Sequence, residues 1–188
     1  MCSLDEAFAE LLEAVREPQS LNPAKSDPIF YFVYPPEMAL SVKRNLPRWS
    51  VKMKEIGWDV VRISLSELFW KIIDQSGRFS EWLALEHEAD RDQINEAIRD
   101  VLREDECFVK EVAEKVACLQ KGRIGFLTDC ELLHPYVRTR TIENKLHDRL
   151  EAPIVIFYPG SRAGQYGLKF LDFYSEDGGY RSTILGGL

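Results

Sequence analysis

Asp129 is the residue whose position most clearly suggests chemistry, because it directly follows an apolar stretch that is typical of a buried strand. Ligands of open α/β sheets bind where strands end, and a carboxylate there can hold Mg²⁺ or a catalytic water. The same side chain could instead cap the following turn. Glu176 and Asp177 form another acidic pair, but the adjoining Gly178–Gly179 favours a turn. One hypothesis is therefore a diverged Mg²⁺-dependent nucleotide hydrolase or nuclease that uses Asp129 and Glu176.

The segment after the first predicted strand lacks the residues that bind a phosphate. A phosphate loop needs glycines, whose backbone N–H groups turn toward the anion, followed by Lys and then Ser or Thr. Pro35 and Pro36 occupy this position, and proline has no N–H to donate. The pattern G-x-x-x-x-G-K-[ST] occurs nowhere in the chain. A nucleotide bound in that manner is not expected.

Other catalytic patterns are missing as well. His87, His134 and His147 show neither the i, i+4 spacing nor the motifs of a zinc site. We expect them at the surface or at capping positions. Ser161 follows a strand, but it has no G-x-S-x-G context. The sequence thus predicts no catalytic residue, no metal ligand and no cofactor.

A basic cluster made of Arg138, Arg140, Lys145 and Arg149 is the main candidate for binding. Arginine offers a fork of donors to phosphates or to acidic partners, so this segment could be a DNA-binding module. Acidic residues are interleaved with it, and a solvated helix face of mixed charge is the alternative.

Composition limits the class of protein. The formal net charge is -7, which argues against a protein that mainly coats nucleic acid. The four cysteines form no C-x-x-C pair and are expected to be free thiols of a reducing compartment. The segment from Met1 to Ala14 has no basic or apolar leader pattern, and no apolar run reaches the ~18 residues of a membrane span. We therefore expect a cytoplasmic protein.

The elements that must position these residues alternate along the chain. Five strands are predicted, at Pro28–Tyr34, Trp58–Ile63, Gly122–Thr128, Pro153–Tyr158 and Leu168–Tyr174. Helical patterns lie between them, including two capping boxes at Ser3/Glu6 and Ser64/Glu67, a helix that Pro47 should kink or split, and a helix at about 134–150. Pro159–Arg162 is predicted to be a turn. This alternation indicates one α/β domain over residues 1–188, with a mostly parallel central sheet and helices on both faces.

Several longer motifs carry a resemblance to a known family. They are Phe126–Asp129 followed by Leu132–Thr139, Ala152–Gly160, and Gly167–Leu171 with Glu176–Arg181. Together with Pro28–Glu37 they are similar to the BrxB family of bacterial BREX (bacteriophage exclusion) systems. The resemblance covers essentially the whole chain and implies a sheet similar to the core of P-loop ATPases without their phosphate loop.

The resemblance also implies a role. It suggests an accessory protein of phage restriction and host DNA methylation that contacts other BREX proteins, with PglZ as the expected partner. It supplies no catalytic residues, so we expect a non-catalytic scaffold or adaptor. The loops after the later strands are the predicted partner face, with these residues: Asp129, Arg138, Arg140, Lys145, Tyr158, Arg162 and Arg181.

Overall fold

A computed structural model describes residues 3–17, 28–147, 150–164, 167–180 and 182–187. The helices are α1 (Leu4–Arg16), α2 (Ala39–Glu55), α3 (Leu65–Ser76), α4 (Phe79–Leu85), α5 (Arg91–Arg103), α6 (Cys107–Ala117) and α7 (Thr139–Leu146). The strands are β1 (Ile29–Tyr34), β2 (Asp59–Ser64), β3 (Arg123–Thr128), β4 (Ile154–Ala163), β5 (Gly167–Phe170), β6 (Asp177–Gly178) and β7 (Thr183–Gly186). Short 3₁₀ turns lie at Pro36–Met38, Glu104–Glu106 and Cys130–Leu133. None of the described helices is long and apolar enough to cross a membrane.

The central sheet has the order β2-β3-β4-β1-β7, and all of its neighbouring strands are parallel. Every residue of β1 is buried, as expected for a strand that is covered on both faces. Its side chains alternate between two hydrophobic clusters. One cluster contains Phe30 and Phe32 with α1 and α2, and the other contains Tyr31 and Val33 with α3, α5, α6 and α7. The predicted fold class, with helices on both faces of a mostly parallel sheet, is confirmed.

Local sequence signals account for several helix ends. Ser3 and Glu6 form the predicted capping box of α1, and the Ser64 hydroxyl accepts a hydrogen bond from the backbone N–H of Glu67 at the start of α3. Pro47 lies inside α2 without splitting it. The helix predicted at about 134–150 is shorter, because a 3₁₀ turn precedes it and α7 begins only at Thr139.

The carboxyl-terminal part differs most from the expectation. The predicted turn at Pro159–Arg162 is wrong, because β4 continues through it to Ala163 and forms an antiparallel hairpin with β5. The predicted strand 168–174 ends at Phe170, since Leu171 and Asp172 adopt positive φ angles of 51° and 54°. The edge strand β7 and the helix α4 were not predicted. Strand β7 extends the parallel sheet beside β1.

Candidate functional site

The carboxyl ends of β1, β2 and β3 bring polar side chains to one edge of the sheet. Ser64 and Thr128 end β2 and β3 in register with each other. Asp129 follows in the left-handed conformation, with φ 64° and ψ 39°, which turns the chain away from the sheet. Tyr34 ends β1 and donates a hydrogen bond of 3.2 Å from its hydroxyl to Glu131. The sheet thus places Asp129 where a ligand of an open α/β fold would bind.

The carboxylate of Asp129 is already surrounded by donors from this chain. Its Oδ2 accepts hydrogen bonds of 2.8 Å from each of three groups, the hydroxyls of Ser64 and Thr128 and the guanidinium of Arg62. Its Oδ1 lies 3.0 Å from Nζ of Lys43 on α2. Arg62 also donates from Nε to the Thr128 hydroxyl at 3.0 Å. We call these five residues the Asp129 cluster.

The electrostatics of the Asp129 cluster favour the charged form of the carboxylate. Burial by itself raises the pKa of Asp129, but the hydrogen bonds from Arg62 and the two hydroxyls, together with Lys43, outweigh it and hold the pKa well below its usual range. Burial lowers the pKa of Lys43, and the bond to Asp129 more than compensates, so that this pKa is raised. Asp129 is therefore ionised and paired at neutral pH.

This pairing predicts a loss of stability in acid. Because the pKa of Asp129 is depressed by folding, its contribution is complete above the unfolded value of about 4 and disappears as the pH falls through the folded pKa. The wild-type free energy of unfolding should therefore fall more steeply below about pH 4 than that of an Asp129→Asn variant. Urea unfolding of both proteins over a pH series measures the difference. Parallel pH profiles would contradict the pairing.

The position that a metal would need beside Asp129 is taken by Lys43 and Arg62. A hard divalent cation binds several oxygen ligands, and here two positive side chains contact the carboxylate instead. Glu176, the other residue of the predicted magnesium pair, lies against Gly167 of β5 and is not among the groups bonded to Asp129. Among the described residues, no group of three or more His, Cys, Asp or Glu side chains could hold a metal ion.

The turn between β1 and α2 has the geometry expected from its prolines. Pro35 precedes a 3₁₀ turn that begins at Pro36, and the backbone N–H of Met38 donates to the carbonyl of Pro35 at 2.8 Å. Two residues of this turn have no N–H, and a third uses its own within the turn. The turn therefore offers no cradle of free N–H groups to a phosphate.

The predicted partner residues separate into exposed and buried groups. Arg138 and Arg140, at the start of α7, lie 3.5 Å and 3.2 Å from Asp177 of β6. Lys145 pairs with Glu106, and Arg162 donates to the backbone carbonyl of Ile184 in β7. Arg181 and Arg149 lie outside the described residues.

Tyr158 and Asp129 were predicted to face a partner, but they are only 2% and 8% exposed. The ring of Tyr158 packs edge-on against Tyr31 at 5.8 Å between centroids and against Phe170 at 5.2 Å. Burial raises the pKa of Tyr158, as does its neighbour Tyr180. In this structure both Tyr158 and Asp129 are buried. Of the predicted partner residues, the exposed basic ones therefore remain as candidates for the partner face.

One interior polar residue was missed by sequence reasoning. Glu143 on α7 is buried and accepts hydrogen bonds from the hydroxyls of Tyr31 at 3.3 Å and Ser182 at 2.5 Å. His134 was expected at the surface or in a cap, and it is the half-buried C-cap residue of the 3₁₀ turn Cys130–Leu133. Its ring lies 3.8 Å from that of Tyr174 and 5.1 Å from that of Phe170. Burial and then Arg138 lower the pKa of His134. A charged residue in a helical pattern reads as solvated, so no local signal identified Glu143.

Comparisons with known proteins point to one family. The sequence model of a family described as "BREX protein BrxB" matches residues 61–185. A protein named "BREX protein BrxB" from Bacillus cereus (strain H3081.97) is 26% identical over 167 residues, which cover 86% of this chain and 84% of that protein. No solved structure matches the chain. The likeness to P-loop ATPases that the resemblance implies therefore stays a prediction.

Proposed function

Because this chain belongs to the BrxB family, we propose that it is a non-catalytic scaffold or adaptor of a BREX defence complex. In this proposal it acts in phage restriction and host DNA methylation through protein–protein contacts, with PglZ as the partner. The family match supports membership of a BREX system. The non-catalytic role is argued from the residues at the carboxyl edge of the sheet.

The observation that carries this proposal is the saturation of Asp129 by its own chain. An active carboxylate must keep room for a metal, a water or a substrate. Here two cations and two hydroxyls lie within 3.0 Å of its two oxygens. Such an arrangement locks β2, β3 and α2 together, which is a structural role. The Pro35–Pro36 turn supports the same view, since it offers no phosphate loop.

The surface proposed for the partner is the exposed basic edge formed by Arg138 and Arg140. The two side chains are 55% and 41% exposed, and both point to one carboxylate, that of Asp177. Their remaining donors can reach an acidic group of a partner, because a guanidinium carries five N–H donors. Rim charges of this kind steer association and select partners more than they add affinity.

Charge reversal at this edge tests the partner surface. The double variant Arg138→Glu/Arg140→Glu is expected to weaken retention on immobilised PglZ by about tenfold or more, because like charges placed together across an interface cost several kcal/mol. Retention of the purified proteins at micromolar concentration measures the effect. Lys121→Glu, an exposed residue in the turn before β3, is the matched control and should bind normally.

Two outcomes of this experiment contradict the proposal. If wild-type protein is retained neither by PglZ nor by another BREX protein, the scaffold role fails. If the double variant binds as tightly as wild type while its circular dichroism melt is unchanged, the assigned edge is wrong. If circular dichroism shows that the double variant is unfolded, the retention assay is repeated with the milder variant Arg138→Gln/Arg140→Gln, for which the same two outcomes apply.

The alternatives predicted from the sequence gain no support from these contacts. Magnesium-dependent hydrolysis would require the carboxylates of Asp129 and Glu176 to bind one metal ion together. Here Asp129 is bonded to Lys43, and Glu176 lies against Gly167. DNA binding by residues 138–149 would use the same exposed arginines, but the formal net charge of −7 argues against a protein that mainly binds nucleic acid. Hydrolysis assays with and without Mg²⁺, and a gel shift at low salt, test them directly.

A further inference from the structure

An apolar groove runs between α4 and α5, and none of the residues of the Asp129 cluster lines it. It has a volume of about 430 Å³. Its lining includes Phe79, Trp82, Leu83, Ile94, Asn95 and Ile98. Ligand-binding clefts have volumes of about 300–1,000 Å³, so this groove can accept several side chains of another molecule.

Large apolar side chains around the groove remain exposed to solvent. Leu83 and Leu85 of α4 are 52% and 41% exposed, and Trp70 of α3 is 43% exposed. The indole of Trp70 packs edge-on against Phe79 at 5.7 Å between ring centroids, so it continues the groove onto α3. Apolar side chains that are exposed together in this way mark binding sites more often than isolated ones do.

The walls of the groove are held by contacts from beneath. Asn95 of α5 accepts a hydrogen bond of 3.0 Å from the hydroxyl of Tyr136, whose ring packs 5.4 Å from that of Phe69. Trp82 is 9% exposed and belongs to the main hydrophobic cluster. Because both helices are anchored in the core, the groove is already formed in the unbound protein. Binding there would cost little rearrangement.

The helices that form the groove belong to an acidic segment of the chain, which also includes the 3₁₀ turn Glu104–Glu106. Residues 79–106 contain ten Asp or Glu and three Lys or Arg, so this segment has a formal charge of −7, and the rest of the chain has 21 of each sign. The exposed acidic residues nearest the groove in sequence are Glu81, Glu86, Glu88, Asp90 and Asp92. Glu86 and Arg91 line the groove itself, so its acidic character comes from the carboxylates around it. An apolar groove in such surroundings favours a ligand that is apolar on one side and positively charged on the other.

We propose that this groove docks a basic amphipathic helix of a partner protein. Such a helix places apolar side chains at i, i+3, i+4 and i+7 in the groove, while its Lys and Arg residues face the surrounding carboxylates. The inference deepens the proposed function, on which it rests, because it assigns the kind of segment that a BREX partner presents. It does not depend on the arginine edge at α7.

A second copy of this chain fits the groove less well. Its most basic exposed helix is α2, which carries Lys43, Arg44, Arg48, Lys52 and Lys54. The large apolar side chains exposed on α2 are Leu40 and Val51. They are eleven residues apart, about 16 Å along the helix, so they cannot form the continuous apolar stripe that the groove requires. The occupant is therefore assigned to another protein.

A model peptide tests the groove without any BREX partner. The probe is a fluorescently labelled helix of about 18 residues, five turns long, with Leu at the i, i+3, i+4 and i+7 positions and Lys or Arg elsewhere. We expect saturable binding that weakens as salt is added. Leu83→Asp should weaken binding by about tenfold or more, since it places a charge in the centre of the contact. The control Leu40→Asp changes a leucine of α2 that is 68% exposed, and it should leave binding unchanged.

Four results would overturn the inference. The first two are equally tight binding of a scrambled peptide with the same composition, and peptide binding that Leu83→Asp leaves unchanged. The third is a wild-type dimer, seen by light scattering, that becomes a monomer in Leu83→Asp. The fourth is binding of the wild type to phosphatidylcholine vesicles that Leu83→Asp abolishes. The dimer would identify a second copy as the occupant, and the vesicles would identify a lipid surface. Failure of the peptide with PglZ still retained would contradict only the groove. Peptide binding without retention of any BREX protein would contradict only the proposed complex.

Discussion

Replacing Asp129 with alanine is expected to lower the free energy of unfolding by about 2 kcal/mol. The substitution removes the shared acceptor of Lys43, Arg62 and two hydroxyls, and it leaves two like charges close together. Breaking a fully buried ion pair costs about 3–5 kcal/mol, but the Lys43 and Arg62 side chains are 43% and 51% exposed, so water screens part of the loss. Urea unfolding at neutral pH measures the change.

The Asp74→Ala variant is the matched control for this prediction. Asp74 is an exposed residue of α3, and its loss should change the free energy of unfolding by no more than about 0.5 kcal/mol. Combining Asp129→Ala with Lys43→Met should recover part of the stability, because the unpaired charge of Lys43 is then removed. Asp129→Ala with wild-type stability would show that the Asp129 cluster does not tie β2, β3 and α2 together.

The Gly160→Ala substitution is expected to destabilise the protein by about 3 kcal/mol or more, because a side chain there has no room. A Cβ atom at this position would collide with the backbone carbonyl of Lys169 on the neighbouring strand β5. Gly160 pairs with Phe170 at the start of the β4–β5 hairpin, so relief of the collision must separate the two strands. The hairpin carries Arg162, and it pairs with β6, which carries Asp177.

Gly178→Ala is the comparison for the hairpin. Gly178 lies in β6, which pairs with β5 of the hairpin, and a Cβ atom there would meet nothing within 4 Å. Its substitution should therefore change the free energy of unfolding by no more than about 0.5 kcal/mol. If Gly160→Ala and Gly178→Ala unfold at the same urea concentration, the close approach of β4 and β5 at Gly160 is not present in solution.

The sequence was sufficient to predict a mostly parallel sheet and most of the strands and helices along the chain, but not the order of the strands in the sheet. The apolar runs that become β1 to β4 and the helices that follow β1 and β2 were visible because period and capping residues are local signals. The strand β7 escaped because Thr183–Gly186 is short and glycine-rich at its end. The continuation of β4 through Pro159–Arg162 escaped because proline and glycine together are typical of a turn.

The candidate site was predicted in part. The structure places Asp129 at the carboxyl edge of the sheet, directly after β3, as the sequence predicted, but its partners Lys43 and Arg62 come from α2 and β2. Pairing between residues so distant in the chain has no pattern in a single sequence. Tyr158 and Glu143 also show that burial of a single side chain is hard to predict from one sequence. The tyrosine was predicted as a partner-binding residue and is buried, whereas the glutamate was read as part of a solvated helix face and lies in the interior.

These contacts describe a sheet that keeps the usual position of an active site and fills it with its own side chains. Lys43 and Arg62 lie where a bound cation would be needed, and the Pro35–Pro36 turn lies where a phosphate loop would be needed. In this account partners bind to the outer surfaces of the protein, which differ in charge and polarity. The start of α7 is basic and polar, whereas the groove between α4 and α5 is apolar and acidic.

Phage restriction by cells that carry an Asp129→Asn variant tests the central claim most directly. Asparagine keeps the size of aspartate but removes the negative charge that a metal or a general base requires. With protein levels matched by immunoblot, a non-catalytic scaffold predicts restriction equal to that of wild type. Loss of restriction by about a hundredfold or more, the effect of removing a catalytic acid–base group, would contradict it.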